Sequence, residues 1–503
     1  MKKTIKTYLF SAMLCLSFLT IWACSSDKDA ADPAPVENTL TADTNKIDFL
    51  GKGSDAIVKI NANVQTWTIT STNANWLQLS QTSGVKGTVI VKITAAENTT
   101  AEPRTATLTL SSAQAPSIQI AVSQAAGTVI TGLYPSYNTN PIAADASGMS
   151  STAVQLAAKI KLGWNIGNTL EATNGETAWG NPKVTKALID AVKASGFNAI
   201  RIPCSWNQYL ENSATAKIKA DWLNRVKEVV QYCVDNNMYV VVNIHWDGGW
   251  LEENISEVKK VENNAKQKAF WEQIATHLRE FDEHLIFAGA NEPAVENAAQ
   301  MAVLTSYHQT FIDAVRSTGG KNAYRTLVVQ GPTTDIEKTN NLMTTLPTDI
   351  AANRMMVEVH YYTPWNFAGL TKDETWGKMF YYWGTGYHSA TDTERNATWG
   401  EEADLEKYFK LMKNQFVDKG IPVLLGEFGA IRRTTLTGDA LTLHLASRAY
   451  YLKTVVKTAN ANGLLPFYWD EGSLGDNSFG IMNRSNNTVS DTQALNAMIE
   501  GLQ

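Results

Sequence analysis

Two apolar stretches, YVVVNIHW (239–246) and LIFAGANEP (285–293), decide the fold together with the segment AKQKAFWEQIATHLREFD (265–282) that lies between them. Each apolar stretch is nearly continuous, which is typical of a strand buried on both faces of a parallel sheet. The segment between them carries apolar residues at helical spacing. A strand, a helix and a second strand in this order predict a βαβ unit.

The same alternation continues on both sides of this unit. Six further strand candidates are KLGWNIGN (161–168), AIRIPC (199–204), TLVVQG (326–331), RMMVEVHYY (354–362), PVLLGEFG (422–429) and LLPFYWDEG (464–472). Helical patterns separate them, the weakest between the fifth and sixth strands. Eight such strands predict an α/β fold of the (β/α)8 barrel type. The alternative, a doubly wound sheet, favours a GxGxxG turn after its first strand, and GWNIGN (163–168) does not match that pattern.

The chain before the barrel has a different pattern. Between residues 40 and 126, about seven short alternating strands are bounded by Gly, Asn, Ser or Pro, and no helical stretch intervenes. This predicts a small all-β sandwich of the immunoglobulin-like type. Residues 25–39 and 127–137 are predicted to be linkers, so that the barrel domain spans 138–503. Trp67 and Trp76 sit in strand patterns and are predicted to be core residues.

The N-terminus has the pattern of an export signal. Positive charges in MKKTIK precede the apolar run TYLFSAMLCLSFLTIWAC, which ends at Cys24. Residues 1–24 resemble a bacterial lipoprotein signal peptide with Cys24 as the lipidated residue, which implies an outer-membrane lipoprotein at the cell surface. Plain secretion or a periplasmic location is the alternative. The apolar run is not followed by a stop-transfer pattern, and no other stretch reaches about 18 apolar residues, so no transmembrane helix is predicted.

Composition excludes some classes of function. The net charge is -6, which is mildly acidic. Proteins that bind nucleic acid usually carry basic patches or stripes, so the charge gives no reason to expect that partner. Of the four cysteines, Cys204 and Cys233 are predicted to be free buried thiols, and no Cys/His spacing indicates zinc. We expect no metal and no other cofactor, and we expect a monomer.

Polar and aromatic residues lie where the barrel strands end, which is where barrel enzymes carry their chemistry. These residues are Trp164, Asn165, Asn168, Arg201, His245, Trp246, Asn291, Glu292, His360, Tyr362, Glu427 and Trp469. Glu292 and Glu427 follow the fourth and seventh strands and so face each other across the barrel mouth. Two opposed carboxylates are the requirement of glycoside hydrolysis. Taken singly, each could be a helix cap or an ion-pair partner.

The motifs GWNIGNTLE, RIP, NIHWDGG, NEP, EVHYY, GEFG and FYWDEG resemble glycoside hydrolase family 5, most of all its subfamily 4. The placing of Trp67, Trp76, Asn98, Arg104 and Gln124 resembles the BACON domains of Bacteroidota surface enzymes. The family resemblance implies that Glu292 is the general acid/base and Glu427 the nucleophile of a retaining mechanism. It also implies a cis peptide bond at Trp469–Asp470.

Supporting roles are expected for the remaining residues at the mouth. Arg201, His245, Asn291, His360, Tyr362 and Trp469 are expected to bind substrate or orient the glutamates, and Asn168, Trp246, Trp250 and Trp365 to form sugar subsites. Many relatives carry a second histidine where this chain has Trp246. Arg201 and Tyr362 are expected to lower the pKa of Glu427, whereas burial and the Glu427 charge are expected to raise that of Glu292. Glu358 is expected to be a deeper, buried acid.

A long aromatic segment follows the sixth strand. Residues 363–402 hold Trp365, Trp376, Trp383 and Trp399 together with Tyr381, Tyr382 and Tyr387, and we expect their rings, together with Trp179 and Trp206, to line a cleft. The leading hypothesis is a retaining endo-β-1,4-glucanase acting on xyloglucan or mixed-linkage glucan. The same mechanism on mannan or xylan is one alternative, and a catalytically silent glycan-binding lipoprotein is the other. The sandwich is expected to be a spacer, with glycan binding as its alternative role.

Overall fold

The computed structural model describes residues 37–72, 75–98, 100, 102–127 and 132–503, and the chain divides into two units, residues 1–129 and 130–503. The predicted signal peptide, Cys24 and residues 25–36 of the first linker lie outside the described residues. Among the helices that are described, none combines the length and the apolar character that a membrane span requires.

The first unit consists of strands. They are Leu40–Ala42, Lys46–Phe49, Ser54–Thr72, Leu77–Leu79, Ser83–Ala95, Arg104–Ser112 and Ala115–Gln124. Two predicted strands, AIVKINA and TWTITST, form one long strand, Ser54–Thr72, whose register shifts between Ala62 and Thr66. This strand pairs with Ser83–Ala95 along most of its length and with Arg104–Ser112 at its end. Trp67 and Trp76 are buried in the core of this unit, as predicted.

The second unit is a closed barrel of eight parallel strands, which confirms the predicted fold class. In chain order the strands are β1 (Gly163–Ile166), β2 (Ala199–Ile202), β3 (Tyr239–Asn243), β4 (Leu285–Ala288), β5 (Leu327–Gln330), β6 (Met355–Tyr361), β7 (Val423–Phe428) and β8 (Leu464–Asp470). Each pairs with the next along the chain, and β8 pairs with β1. All eight predicted strands are therefore present.

Eight helices follow the strands in alternation. They are α1 (Lys186–Ala194), α2 (Ala220–Asp235), α3 (Glu257–Leu278), α4 (Ala298–Ser317), α5 (Ile336–Leu342), α6 (Glu402–Gln415), α7 (Gly438–Ala461) and α8 (Thr492–Gly501). The side chains of Thr185, Ser256, Asn297, Asp335 and Asp491 cap their helices by accepting a backbone N–H three residues on. Between β5 and β6, where the helical pattern is weakest, α5 has seven residues.

The lower part of the barrel interior is filled with apolar side chains. Side chains of all the strands from β2 to β8, among them Val241, Met356 and Leu424, form one buried cluster with the short helix Ala153–Ala157. Polar residues follow further along the strands, and Asn165, Arg201 and Glu358 are completely buried. The charged groups are thus held above an apolar base, at the carboxyl ends of the strands.

Residues 127–137 were predicted to be a linker, but Tyr137 is already part of the second unit. The Tyr137 backbone N–H donates to a carboxylate oxygen of Glu272, on α3, at 2.6 Å. Cys204 and Cys233 are free and buried, as predicted.

Candidate active site

Glu292 and Glu427 meet at the mouth of the barrel. Glu427 lies in β7, and Glu292 follows β4 by four residues. Together with His360 of β6, they present one oxygen or nitrogen atom each, and these three atoms lie within 4.8 Å of one another. Retaining glycosidases hold their carboxyl groups about 5–5.5 Å apart, whereas inverting enzymes need about 6.5–9.5 Å. The close approach therefore fits retention.

Arg201 connects the residues at the mouth. Its Nη1 atom lies 2.7 Å from Glu427 Oε1, and its Nη2 donates to Asn291 Oδ1 at 2.8 Å. Its Nε atom lies 2.9 Å from Glu358 Oε1. The second oxygen of Glu427 accepts the Tyr362 hydroxyl at 3.0 Å. Both oxygens of Glu427 thus have donors, which fixes the carboxylate in one orientation.

His360 links Glu292 to the deeper acid Glu358. Its Nδ1 atom lies 2.6 Å from Glu292 Oε1 and its Nε2 atom 3.2 Å from Glu358 Oε1. Gln330 donates to the other oxygen of Glu358 at 2.6 Å. Glu358 is completely buried below the mouth, as expected, and it holds both Arg201 and His360 in place.

The pKa shifts of the two glutamates run opposite to those expected from the sequence. Burial raises the pKa of Glu427, although His360 and Arg201 act in the other direction. Burial also acts to raise the pKa of Glu292, but the hydrogen bond and the charge of His360 outweigh it and lower that pKa. The expectation omitted His360, whose contact with Glu292 depends on side-chain geometry.

His360 holds a proton at neutral pH. Burial acts to lower its pKa, but the carboxylates of Glu427, Glu292 and Glu358 outweigh burial and raise that pKa to about 10. The 2.6 Å contact between His360 Nδ1 and Glu292 Oε1 is therefore an ion pair that keeps Glu292 ionised.

This raised pKa predicts a pH-dependent stability. An unfolded histidine titrates near pH 6.5, so the stabilisation from His360 is complete below that pH and is lost as the pH rises through about 10. Its size is on the order of a few kcal/mol. We expect the unfolding free energy of the wild type to fall more between pH 6.5 and 10 than that of His360→Gln. Urea denaturation at several pH values measures both, with His284→Gln as control, and parallel curves for wild type and His360→Gln would contradict the prediction.

His245 and Trp469 stand side by side at the mouth. Their rings are nearly parallel, at 4° and 5.9 Å between centroids, and His245 Nδ1 lies 3.2 Å from Asn243 Nδ2. A Cβ on Gly167 would come within 2.8 Å of the Trp469 ring, so the glycine leaves room for this indole. The expected cis peptide bond at Trp469–Asp470 is wrong: the cis bond among the described residues is Thr363–Pro364.

The residues predicted for sugar subsites have different surroundings. Trp365 is 45% exposed and meets Tyr362 edge to face, and Trp246 is 38% exposed and donates to Glu253. Trp250 is half-buried, since Phe270 and the Lys266 ammonium contact its ring. Asn168 adopts a positive φ of 58°, and its carbonyl accepts from Asn181.

Three aromatic residues expected to line the cleft are core residues instead. Tyr382, Trp383 and Trp206 are all buried. Trp383 packs edge to face on Tyr451 of α7, and Trp206 donates its indole N–H to the Asn243 carbonyl. Composition alone does not distinguish such rings from exposed ones. Trp179, Trp365, Trp376 and Trp399 do remain exposed and available for stacking.

Glu252 and Thr334 contact Glu292 and were not predicted. Glu252 Oε2 accepts the backbone N–H of Glu292 at 3.0 Å, and the Thr334 hydroxyl lies 3.4 Å from Glu292 Oε1. Both lie in loops after strands. The sequence indicates only that both residues follow a strand. Neither loop has a periodic pattern that would distinguish the residue in contact with Glu292 from its neighbours.

The spacing of Glu292, His360 and Glu427 could also hold a metal ion. The oxygens of Glu427, however, already accept hydrogen bonds from Arg201 and Tyr362. The expectation that the protein needs no metal stays a prediction.

A (β/α)8 barrel with two opposed, closely spaced carboxylates at its mouth defines a retaining glycoside hydrolase. The cellulase model, glycosyl hydrolase family 5, matches residues 165–475. The BACON model, described as a putative N-terminal binding domain, matches residues 65–125. The chain therefore belongs to glycosyl hydrolase family 5 and carries a BACON domain before the barrel.

Individual relatives agree with this assignment. The chain is 36% identical to the xyloglucan-specific endo-β-1,4-glucanase of Bacteroides ovatus, over 99% of this chain and 97% of the relative. It is 38% identical to endoglucanase A of Paenibacillus barcinonensis, over 74% of this chain and 95% of the relative. A solved Bacteroides ovatus xyloglucanase in complex with a XXXG heptasaccharide superposes with a TM-score of 0.68 at 34% identity, covering 92% of this chain and 100% of that one.

Proposed function

We propose that this protein is an endo-acting, retaining β-1,4-glucanase whose main substrate is xyloglucan, with mixed-linkage glucan as a second substrate. The single observation that carries the reaction type is the approach of Glu292 and Glu427 within 4.8 Å at the barrel mouth. The substrate class is supported by relatives that are xyloglucan-specific, one of which matches along nearly the whole chain.

In the first step Glu427 attacks the anomeric carbon while Glu292 protonates the leaving oxygen. The reactive form needs Glu427 ionised, and Arg201 and Tyr362 donate to its two oxygens. It also needs Glu292 protonated. Because the hydrogen bond and charge of His360 lower the pKa of Glu292, the reactive form is the minor fraction of the enzyme in which Glu292 carries a proton.

In the second step Glu292 acts as a base and activates water against the glycosyl-enzyme. Glu427 is then esterified and carries no charge, so its repulsion of the Glu292 carboxylate is gone. This favours the ionised base at the point where it is needed. Asn291 is placed to hydrogen-bond a sugar hydroxyl, a contact that strengthens in the oxocarbenium-like transition state.

The proposal is tested with a panel of soluble polysaccharides. Reducing-end release would be measured on xyloglucan, mixed-linkage glucan, carboxymethyl cellulose, glucomannan and xylan, together with viscosity, because endo-cleavage lowers viscosity early. We expect the highest rate on xyloglucan. Faster cleavage of glucomannan or xylan would favour the mannan or xylan alternative. A wild type that binds these polymers but cleaves none would favour a silent glycan-binding protein.

We also propose that the chain is a monomeric lipoprotein anchored through Cys24 at the outer membrane. The signal-like pattern of residues 1–24 supports this. Expression in a Bacteroides host is expected to place the wild type in the membrane fraction and Cys24→Ala in the soluble fraction. Labelling with an alkyne fatty acid, followed by fractionation, measures both. Equal labelling of the two proteins would contradict the prediction, and Cys15→Ala is the matched control.

We propose that the BACON domain is a spacer. Its two tryptophans are buried, and among its described residues the exposed large hydrophobic side chains are aliphatic: Leu50, Ile57, Val85 and Ile90. Flat sugar faces are usually held by exposed aromatic rings. We expect residues 37–503 and 132–503 of the Glu427→Gln variant to be retarded equally in affinity electrophoresis with xyloglucan. Stronger retardation of the longer chain would favour binding instead.

A further inference from the structure

Glu252, in the loop after β3, is tied to the end of β4. A single oxygen, Glu252 Oε2, accepts the Asn291 Nδ2–H at 3.2 Å and the backbone N–H of Glu292 at 3.0 Å. The Glu252 carbonyl accepts the backbone N–H of Ala294 at 2.8 Å. Three hydrogen bonds thus join this one residue to three of the four residues from 291 to 294, which include the acid/base.

These contacts determine how the Asn291 amide is oriented. Its oxygen accepts from Arg201 Nη2 at 2.8 Å, so its nitrogen faces Glu252. A flipped amide would direct N–H groups at the guanidinium and an oxygen at the carboxylate, and both contacts would be repulsive. With one Nδ2 hydrogen committed to Glu252, the other remains free to donate to a sugar hydroxyl.

The position of Glu252 is costly for a carboxylate. Burial, together with the charges of Glu292 and Glu427, raises its pKa to about 7 despite the two hydrogen bonds that it accepts. Perturbed carboxyl groups of this kind concentrate at functional sites.

We propose that Glu252 is a positioning residue that sets the Glu292 acid/base and the Asn291 amide in their reactive orientations. The proposal rests on the proposed function of the Glu292/Glu427 pair. Glu252 affects the substrate only indirectly, through Asn291 and Glu292. Its role is therefore to keep the proton donor in line with the leaving oxygen.

Two substrates distinguish this role from a structural one. A polysaccharide leaving group needs a proton, whereas a 2,4-dinitrophenyl cellobioside leaves without one. Glu252→Ala is expected to lower kcat/KM on xyloglucan by about 10–100-fold, mainly through kcat, as is usual for residues that orient a reacting group. The loss on the aryl glycoside is expected to be much smaller. Glu252→Gln keeps an oxygen that can accept both hydrogen bonds and is expected to stay near wild type.

The matched control is Glu257→Ala, an exposed acid in the same part of the chain that pairs with Lys260, and it should leave both rates unchanged. Equal losses on both substrates, or no loss, would overturn the proposal. If Glu252→Ala does not fold, judged by thermal melting, Glu252→Asp makes the same comparison, because its shorter side chain withdraws the oxygen. A wild type inactive on both substrates would instead contradict the proposed function.

Discussion

Glu427→Gln is expected to lower kcat/KM on xyloglucan by about 10⁴-fold or more, the range of loss when a nucleophile is removed. The amide has nearly the same shape as the carboxylate, and its oxygen can still accept from Arg201 while its NH2 group faces the Tyr362 hydroxyl, but it cannot attack the anomeric carbon. Initial rates of reducing-end release measure the loss, and circular dichroism checks the fold. Retention of the full rate would show that Glu427 is not the nucleophile.

A rescue experiment assigns the role more closely. Glu427→Ala opens space on the face of the sugar opposite the leaving group, and azide placed there can displace an activated aryl leaving group directly. The expected product is an α-glycosyl azide, with inverted configuration. Glu358→Ala is the matched control, since Glu358 also pairs with Arg201 but is completely buried. A β-glycosyl azide from Glu427→Ala would reverse the two assigned roles.

The barrel could be predicted because its signals are local and repeated. Each strand is a short, nearly continuous apolar run, and each is followed by a helical pattern, so one βαβ unit indicated the rest. The sandwich was less well predicted at one point. AIVKINA and TWTITST were predicted as two strands but form a single one. Its register shifts between Ala62 and Thr66, and in the sequence this irregularity resembles a turn.

The catalytic pair could be predicted because parallel strands bring their carboxyl ends to one rim. His360 and Glu427 are register partners in β6 and β7, and Arg201 pairs with Asn165 between β2 and β1. Strand-end position therefore identified residues that contact one another in the structure. It did not distinguish rings that face solvent from those that face the core, as Trp383 and Trp206 show.

The electrostatics of the pair could not be predicted in the same way. Distances of a few ångströms between side-chain atoms decide which carboxylate has its pKa lowered most by the charge of His360, and the strand pattern does not contain these distances. Glu252 was missed for a related reason. Glu252 lies in the loop after β3, and its hydrogen-bond partners Asn291 and Glu292 follow β4. These hydrogen bonds form only when β3 and β4 are paired.

Glu292→Ala is expected to lower kcat/KM on xyloglucan by about 10²–10⁴-fold, the usual contribution of general acid catalysis. The leaving sugar oxygen is a poor leaving group without a proton, so the first step is slowed most. For a 2,4-dinitrophenyl cellobioside, whose phenolate needs no proton, kcat/KM is expected to stay near wild type. Its kcat is expected to fall, because hydrolysis of the glycosyl-enzyme has lost its base.

These two changes together identify an acid/base rather than a residue that only binds substrate. A glycosyl-enzyme that forms fast and decays slowly predicts a burst of phenolate, measurable by stopped-flow absorbance. Azide is expected to accelerate the second step and to yield a β-glycosyl azide, since it enters on the face where Glu292 stood. Glu296→Ala, an exposed acid beyond the same strand that pairs with Lys338, is the matched control. Equal losses on both substrates, without a burst, would contradict the assignment of Glu292.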